Sequence, residues 1–219
     1  MTLRLAIFDC DGTLVDSQHS IVASMRAAFA AMALPPPARA DCLSVVGLSL
    51  PQAMARLLPD HPPAFHQDIS AHYKQAFHAL RAGGDLREPL YEGVAGLLDA
   101  LEAEGWLLAI ATGKSDRGLR LLLEHHGLAR RFVSLQTADR HPSKPHPSMI
   151  EAALAEAGVD RADAVMIGDT SFDMAMARAA DVRALGVGWG YHPAGALVAA
   201  GAHSVAMDSA ELARHIGLP

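Results

Sequence analysis

Leu5-Ala-Ile-Phe-Asp9-Cys-Asp11-Gly-Thr13-Leu-Val-Asp16 sets a short apolar run against two carboxylates and a glycine turn. An apolar run bounded by a turn signal reads as a buried parallel strand, which leaves Asp9 and Asp11 at and just past its carboxyl end. Alternation along a strand sends Asp9 and Asp11 the same way and Cys10 the other. Two carboxylates aimed at one spot cannot both ionise without a cation or a proton between them. Asp also caps plain strand-end turns, so the remaining sequence has to decide between a turn and a site.

Outward from this stretch the pattern changes twice. From Ser17 to Ala33, Ile21, Met25, Phe29 and Met32 recur at helical spacing, and the prolines at 35 to 37 end that helix. Leu50 to Leu58 and Ala64 to Leu80 also read as helices, each opened near a proline. From Tyr91 onward helix and strand alternate, the signature of a parallel sheet with crossover helices. Helices are expected over Gly93–Glu104, Asp116–His126, Pro147–Ala157 and Ser171–Ala180, and from Ser209. Strands are expected over Trp106–Ala111, Phe132–Gln136, Ala164–Ile167, Arg183–Val187 and Ser204–Met207.

A lone strand has no independent stability, so the opening strand belongs with the later sheet. The expected fold is α/β: a Rossmann-like parallel sheet core flanked by helices, residues 1–16 and 89–219, with an all-helical cap over residues 17–88 inserted after the first strand. Hinges fall near Asp16 and at Glu88-Pro89. In open parallel sheets ligands bind outside the carboxyl ends of the strands, where Asp9 and Asp11 point.

Other predicted strand ends carry polar groups too. Thr112-Gly113-Lys114 supplies a hydroxyl and a glycine whose backbone N–H can approach a ligand closely. Ser143-Lys144-Pro145 follows the next strand, and Gly168-Asp169 with Asp173 puts two carboxylates one turn apart at a helix start. Each is unremarkable alone, since Asp169 could simply cap its helix. Four such groups at strand ends of one sheet make a site.

Composition bounds the partners. A hydrophobic fraction of 51% over 219 residues supplies a real core, and a net charge of −6 without a basic block argues against nucleic-acid or anionic-membrane surfaces. Cys10 and Cys42 are far apart and give no cysteine-based metal site. No apolar run approaches the roughly 18 residues that span a bilayer. A cytoplasmic protein, monomer or homodimer, acting on a small molecule is the expectation.

With these groups in place, the chain resembles the haloacid dehalogenase-like superfamily of phosphohydrolases, in its phosphoglycolate-phosphatase-like branch with a helical cap. Asp9-x-Asp11-Gly-Thr13, Thr112, Lys144 in Lys-Pro-His-Pro, and Gly168-Asp169-x-x-x-Asp173 stand for its four motifs, and Gly188-Trp-Gly-Tyr191 looks like a segment common in that branch. Ser148 and Ala180-Asp181 depart from frequent family residues without removing a catalytic group. The resemblance implies that Asp9 attacks phosphorus to form an aspartyl-phosphate. It also implies Mg²⁺ held by Asp9, Asp169 and the backbone carbonyl of Asp11, with Asp173 in support. Thr112, Gly113 and Lys144 would bind the phosphoryl group. The implied substrate is a small phosphorylated metabolite.

A charge count tests this arrangement. Asp9, Asp169 and Asp173 with a phosphomonoester bring about −5, and each like-charge pair at roughly 4 Å costs about 4 kcal/mol at an effective dielectric near 20. Mg²⁺ and Lys144 return about +3. Asp11 is therefore expected to be protonated when substrate binds, as a general acid for the leaving alcohol requires. A phosphomutase, which returns the phosphoryl group to a sugar, shares every motif. A catalytically inactive phosphate-binding protein would be expected to have lost at least one of them. A dehalogenase is disfavoured because Asp11 has no duty toward a halide. Gly47-Leu48-Ser49 is either a cap loop that faces the site or an ordinary turn between helices, and the histidines read as solvated or packing residues.

Overall fold

β1 (Arg4–Phe8) lies inside a six-stranded, all-parallel sheet, with every residue from Leu5 to Phe8 buried. The structure, a computed structural model, describes residues 2–218. Four helices follow β1 directly: α1 (Gln18–Ala31), α2 (Arg39–Ser44), α3 (Leu50–Leu57) and α4 (Pro63–Gly83). The α/β alternation then runs α5 (Val94–Ala103), β2 (Trp106–Thr112), α6 (Asp116–His125), β3 (Phe132–Thr137), α7 (Ser148–Ala157), β4 (Ala164–Gly168) and α8 (Ser171–Ala179). It closes with β5 (Arg183–Val187), α9 (Ala194–Ala200), β6 (Ser204–Ala206) and α10 (Ser209–Ile216).

The strands lie in the order β3-β2-β1-β4-β5-β6. Strand alternation divides the core in two. Ala6 and Phe8 pack with Leu98 and Leu101 of α5, Leu122 of α6 and Leu212 of α10. Leu5 and Ile7 pack on the opposite face with Ile150 of α7, Met174 of α8 and Leu197 of α9. Both faces are covered, which is why the strands read as continuous apolar runs.

The strand order reverses between β1 and β4, and a crevice outside the carboxyl ends at such a switch point is where open α/β sheets bind ligands. Asp9 follows β1 and Asp169 follows β4. The two ends are tied by the Asp9 N–H donating to Ile167 O at 2.9 Å.

Helices α1 to α4 have a core of their own, built from Met25 and Phe29 of α1, Cys42 of α2, Met54 of α3 and Ile69 of α4. The two chain segments that join them to the sheet pair with each other. Val15 bridges antiparallel to Leu90, the Asp16 N–H donates to Pro89 O at 2.8 Å, and the Tyr91 N–H donates to Leu14 O at 3.0 Å.

Differences from the sequence expectation lie at edges and in short elements. Helices α2 and α9 were not anticipated: with six and seven residues they are too short to display a 3.6-residue period. α4 extends from Pro63 to Gly83, with only Gly84 taking the left-handed cap at φ 78°. β2, β3 and β4 each run one residue further than expected, and β6 stops one residue earlier, at Ala206. No described helix is long and apolar enough to cross a membrane.

Ile7→Ala, which removes a fully buried side chain from β1, should cost about 2–5 kcal/mol in urea unfolding. Val133→Ala on β3, where the side chain is half exposed, should stay within roughly 0.5 kcal/mol.

Candidate active site

The site grows from the strand ends. Past β1 the chain turns at Gly12 (φ +86°), and a Cβ there would lie 2.1 Å from Asp169 Oδ2. Only glycine permits both the left-handed backbone and this approach. Asp9 is buried behind the turn, while Cys10 enters the hydrophobic core with Phe8, as strand alternation requires.

Past β4, Asp169 is fully buried and doubly held. Thr13 Oγ1 donates to its Oδ1 at 2.9 Å and the Tyr191 N–H to its Oδ2 at 2.9 Å. Asp173 sits at the start of α8, where its Oδ2 accepts from the Thr170 N–H (3.0 Å) and hydroxyl (2.7 Å), closing a capping box. The Asp173 Oδ1 accepts from Lys144 Nζ at 2.6 Å.

Lys144 ties the carboxylates together. Its side chain is fully buried, and its ammonium lies 2.8 Å from Asp9 Oδ1 as well as against Asp173. Burial alone would lower the Lys144 pKa, but Asp173 and Asp9 more than offset it and keep the ammonium charged. Burial pushes Asp9 up to about 7; Lys144 pulls it back and Asp173 adds to it. Asp169 is also pushed well above the usual carboxylate range, by burial first and then by Asp9 and Asp173.

Oxygens of Asp9, Asp169 and Asp173 lie within 4.8 Å of one another. Asp9 Oδ2 is buried without a hydrogen-bond partner, and Oδ1 is met only by the Lys144 ammonium. An orphaned hard oxygen donor in an acidic cluster fits a divalent cation. Asp9 and Asp169 would be its side-chain ligands: Asp169 and Asp173 each accept hydrogen bonds on both oxygens, but only Asp173 is held by an ammonium, that of Lys144.

Asp11 points the same way as Asp9 but into a different environment. Its Oδ1 lies 2.9 Å from Lys114 Nζ, which also donates to Glu88 Oε1 at 2.8 Å, and Glu88 Oε2 accepts from Arg81 at 3.0 Å. The charge count made on sequence left out this second buried ammonium, so a proton is not the only means of offsetting Asp11.

Thr112 is buried at the end of β2, and Thr112 and Gly113 line a cavity of about 420 Å³ together with Asp9, Asp11 and Lys114. The loop Gly47-Leu48-Ser49 lines the same cavity. Its Gly47 and Leu48 carbonyls would lie within 2.8 Å of a Cβ at Gly113, and the Ser49 N–H donates to Ser143 Oγ at 2.9 Å. All of the sequence-derived site residues thus gather at one end of the sheet.

Sequence reasoning missed Lys114, Glu88 and Arg81 as a network, and missed what Gly188 to Tyr191 do. A Cβ at Gly190 would lie 2.2 Å from Asp169 Cβ, Trp189 Nε1 donates to Thr13 O at 3.1 Å, and Tyr191 Oη accepts from the Ser17 N–H at 3.0 Å. This loop braces Asp169 and the exit toward α1. Of the histidines near Lys144, His141 has both ring nitrogens engaged, by Ser148 Oγ and Gln136 Oε1, and burial lowers its pKa.

Comparison with known proteins agrees with this geometry. A family model described as haloacid dehalogenase-like hydrolase matches residues 6–187. The "Probable phosphatase IndB" of Dickeya dadantii is 36% identical over 200 residues, covering 90% of this chain and 86% of that protein. A phosphoglycolate phosphatase of Agrobacterium fabrum is 34% identical over 192 residues, covering 85% and 81%. The crystal structure of a hydrolase from Pseudomonas syringae superimposes with a TM-score of 0.86 at 27% identity, covering 99% of this chain and 98% of that one.

A carboxyl whose folded pKa is raised binds more protons folded than unfolded, so its contribution to stability falls as pH rises from about 4 through about 7. In the presence of a chelator, the melting temperature should therefore be lower at pH 8 than at pH 5. Divalent cation should recover it at pH 8, and Asp9→Asn should flatten the pH dependence; differential scanning fluorimetry reads all three.

Proposed function

The chain belongs to the haloacid dehalogenase-like hydrolases, and on that premise we propose that it is a Mg²⁺-dependent phosphatase acting on a small phosphomonoester. The observation that carries this reading is the buried Asp9, one oxygen without a partner and the other against the Lys144 ammonium, clustered with Asp169 and Asp173. In this reading residues 17–88 are a cap on a core of residues 1–16 and 89–219.

An Asp9 oxygen attacks phosphorus as the bond from phosphorus to the ester oxygen breaks, giving an aspartyl-phosphate. Asp11 gives its proton to the departing alcohol oxygen, then takes one from the water that attacks phosphorus and frees Asp9 and inorganic phosphate. Lys144 and the Thr112 hydroxyl meet the charge on the phosphoryl oxygens. Asp9 and Asp169 would hold Mg²⁺, which would supply further neutralisation where an anion is attacked by an anion. Lys114, gripped by Glu88, positions Asp11 between these steps. The Gly47–Ser49 loop lies over Gly113, so the docked cap shields the intermediate from bulk water.

Magnesium-dependent phosphate release from p-nitrophenyl phosphate tests the reading, and Asp9→Asn should reduce it to background. Conversion of a sugar phosphate to its isomer without phosphate release would instead mark a mutase, and no turnover of any ester a binding protein. Asp11→Asn should slow turnover by about 10²–10⁴-fold while leaving metal binding largely intact, read by calorimetric Mg²⁺ titration. Lys114→Met should lower kcat by about tenfold or more with a smaller change in KM, and Lys114→Arg should recover part of it.

A further inference from the structure

The cavity of about 420 Å³ beside Asp9 has two unlike halves. Its floor is the polar end of the sheet. Its roof, supplied by α1, α2, α4 and the loop before α3, is lined by Ile21, Met25, Val45, Leu48, Tyr73 and Phe77. The volume lies in the range of roughly 300–1,000 Å³ typical of pockets that enclose drug-sized ligands. That is far more than a phosphoryl group on a two-carbon acid would fill.

Charge separates the possible leaving groups further. A carboxylate buried under this roof needs a partner. The buried ammonium in reach, Lys114, is already held by Asp11 and Glu88. Both His141 ring nitrogens are occupied, by Ser148 Oγ and Gln136 Oε1, and burial disfavours its charged form. Burial, reinforced by the Asp11 carboxylate, pushes the Tyr73 phenol up, so it carries no charge. The remaining charges on the lining are Lys74 and Asp139, both exposed. At the N-terminus of α3 the Ser49 N–H already donates to Ser143 Oγ and Pro51 has no N–H.

Resting on the phosphatase reading, we infer that this pocket takes the phosphomonoester of an uncharged, predominantly apolar alcohol larger than glycolate, its hydrocarbon or aromatic body seated against Met25, Leu48 and Phe77. Phosphoglycolate, with a carboxylate in that position, is a poor ligand. The Tyr73 hydroxyl leaves room for a single polar substituent on the alcohol.

Non-hydrolysable phosphonates test this without turnover. In calorimetric titrations with Mg²⁺ present, affinity should rise about fourfold per added methylene from ethyl- to butylphosphonate. Benzylphosphonate should bind at least tenfold more tightly than 2-carboxyethylphosphonate, the isostere of phosphoglycolate. Phe77→Ala should weaken benzylphosphonate more than ethylphosphonate. A flat series, equal or tighter binding of the carboxyethyl compound, or no binding at all would overturn the inference. Failure of the phosphatase reading registers separately, as absent phosphate release from p-nitrophenyl phosphate.

Discussion

Asp9, Asp169 and Asp173 stand buried within 4.8 Å of one another, with one buried ammonium, that of Lys144, placed 2.8 Å from Asp9 and 2.6 Å from Asp173. Desolvating several like charges costs several kcal/mol per ion, and a cation with good geometry is what makes the cluster tolerable. One ammonium does not neutralise three carboxylates. The balance is left as raised Asp9 and Asp169 pKa values and as an Asp9 oxygen without a hydrogen-bond partner. The fold therefore stores a demand for positive charge at the point where a phosphoester and its cation would sit.

The sheet makes that demand possible. The charged groups come from strand ends and the segments past them, Asp9 and Asp11 after β1, Lys114 after β2, Lys144 after β3, Asp169 and Asp173 after β4, and the switch between β1 and β4 opens a crevice into which Asp9 and Asp169 both project. The loop Gly188–Tyr191 secures Asp169 through the Tyr191 N–H and a close approach at Gly190. A parallel network, Asp11–Lys114–Glu88–Arg81, connects the second carboxylate to the segment that joins the helical insertion to the sheet. Two acidic residues separated by one position thus sit in different electrostatic surroundings.

Much of this was legible in the sequence because the informative signals are local. The apolar run at Leu5–Phe8, the helix–strand alternation after Tyr91 and the polar residues at strand ends each declare themselves within about ten residues, and the strands formed to within one residue of expectation. Helices α2 and α9 escaped because one and a half to two turns carry no period to detect. The Lys114–Glu88 pair escaped for another reason: it joins residues 26 apart, and a lysine beside a helix start looks like a solvated one until the fold buries it. What Gly190 does within the Gly188–Tyr191 segment escaped likewise, since its neighbour Asp169 is near only in space.

The central claim is that Asp9, alone among the crowded carboxylates, becomes covalently phosphorylated. Acid-quenching the enzyme during turnover of an aryl phosphate, reducing with borohydride and mapping peptides by mass spectrometry measures this directly, because an acyl phosphate is reduced where a free carboxylate is not. The account predicts homoserine at position 9, with Asp11, Asp169 and Asp173 unchanged. Reduction at another carboxylate, or an unmodified Asp9 in an enzyme whose Asp9→Asn variant still turns over, would contradict it.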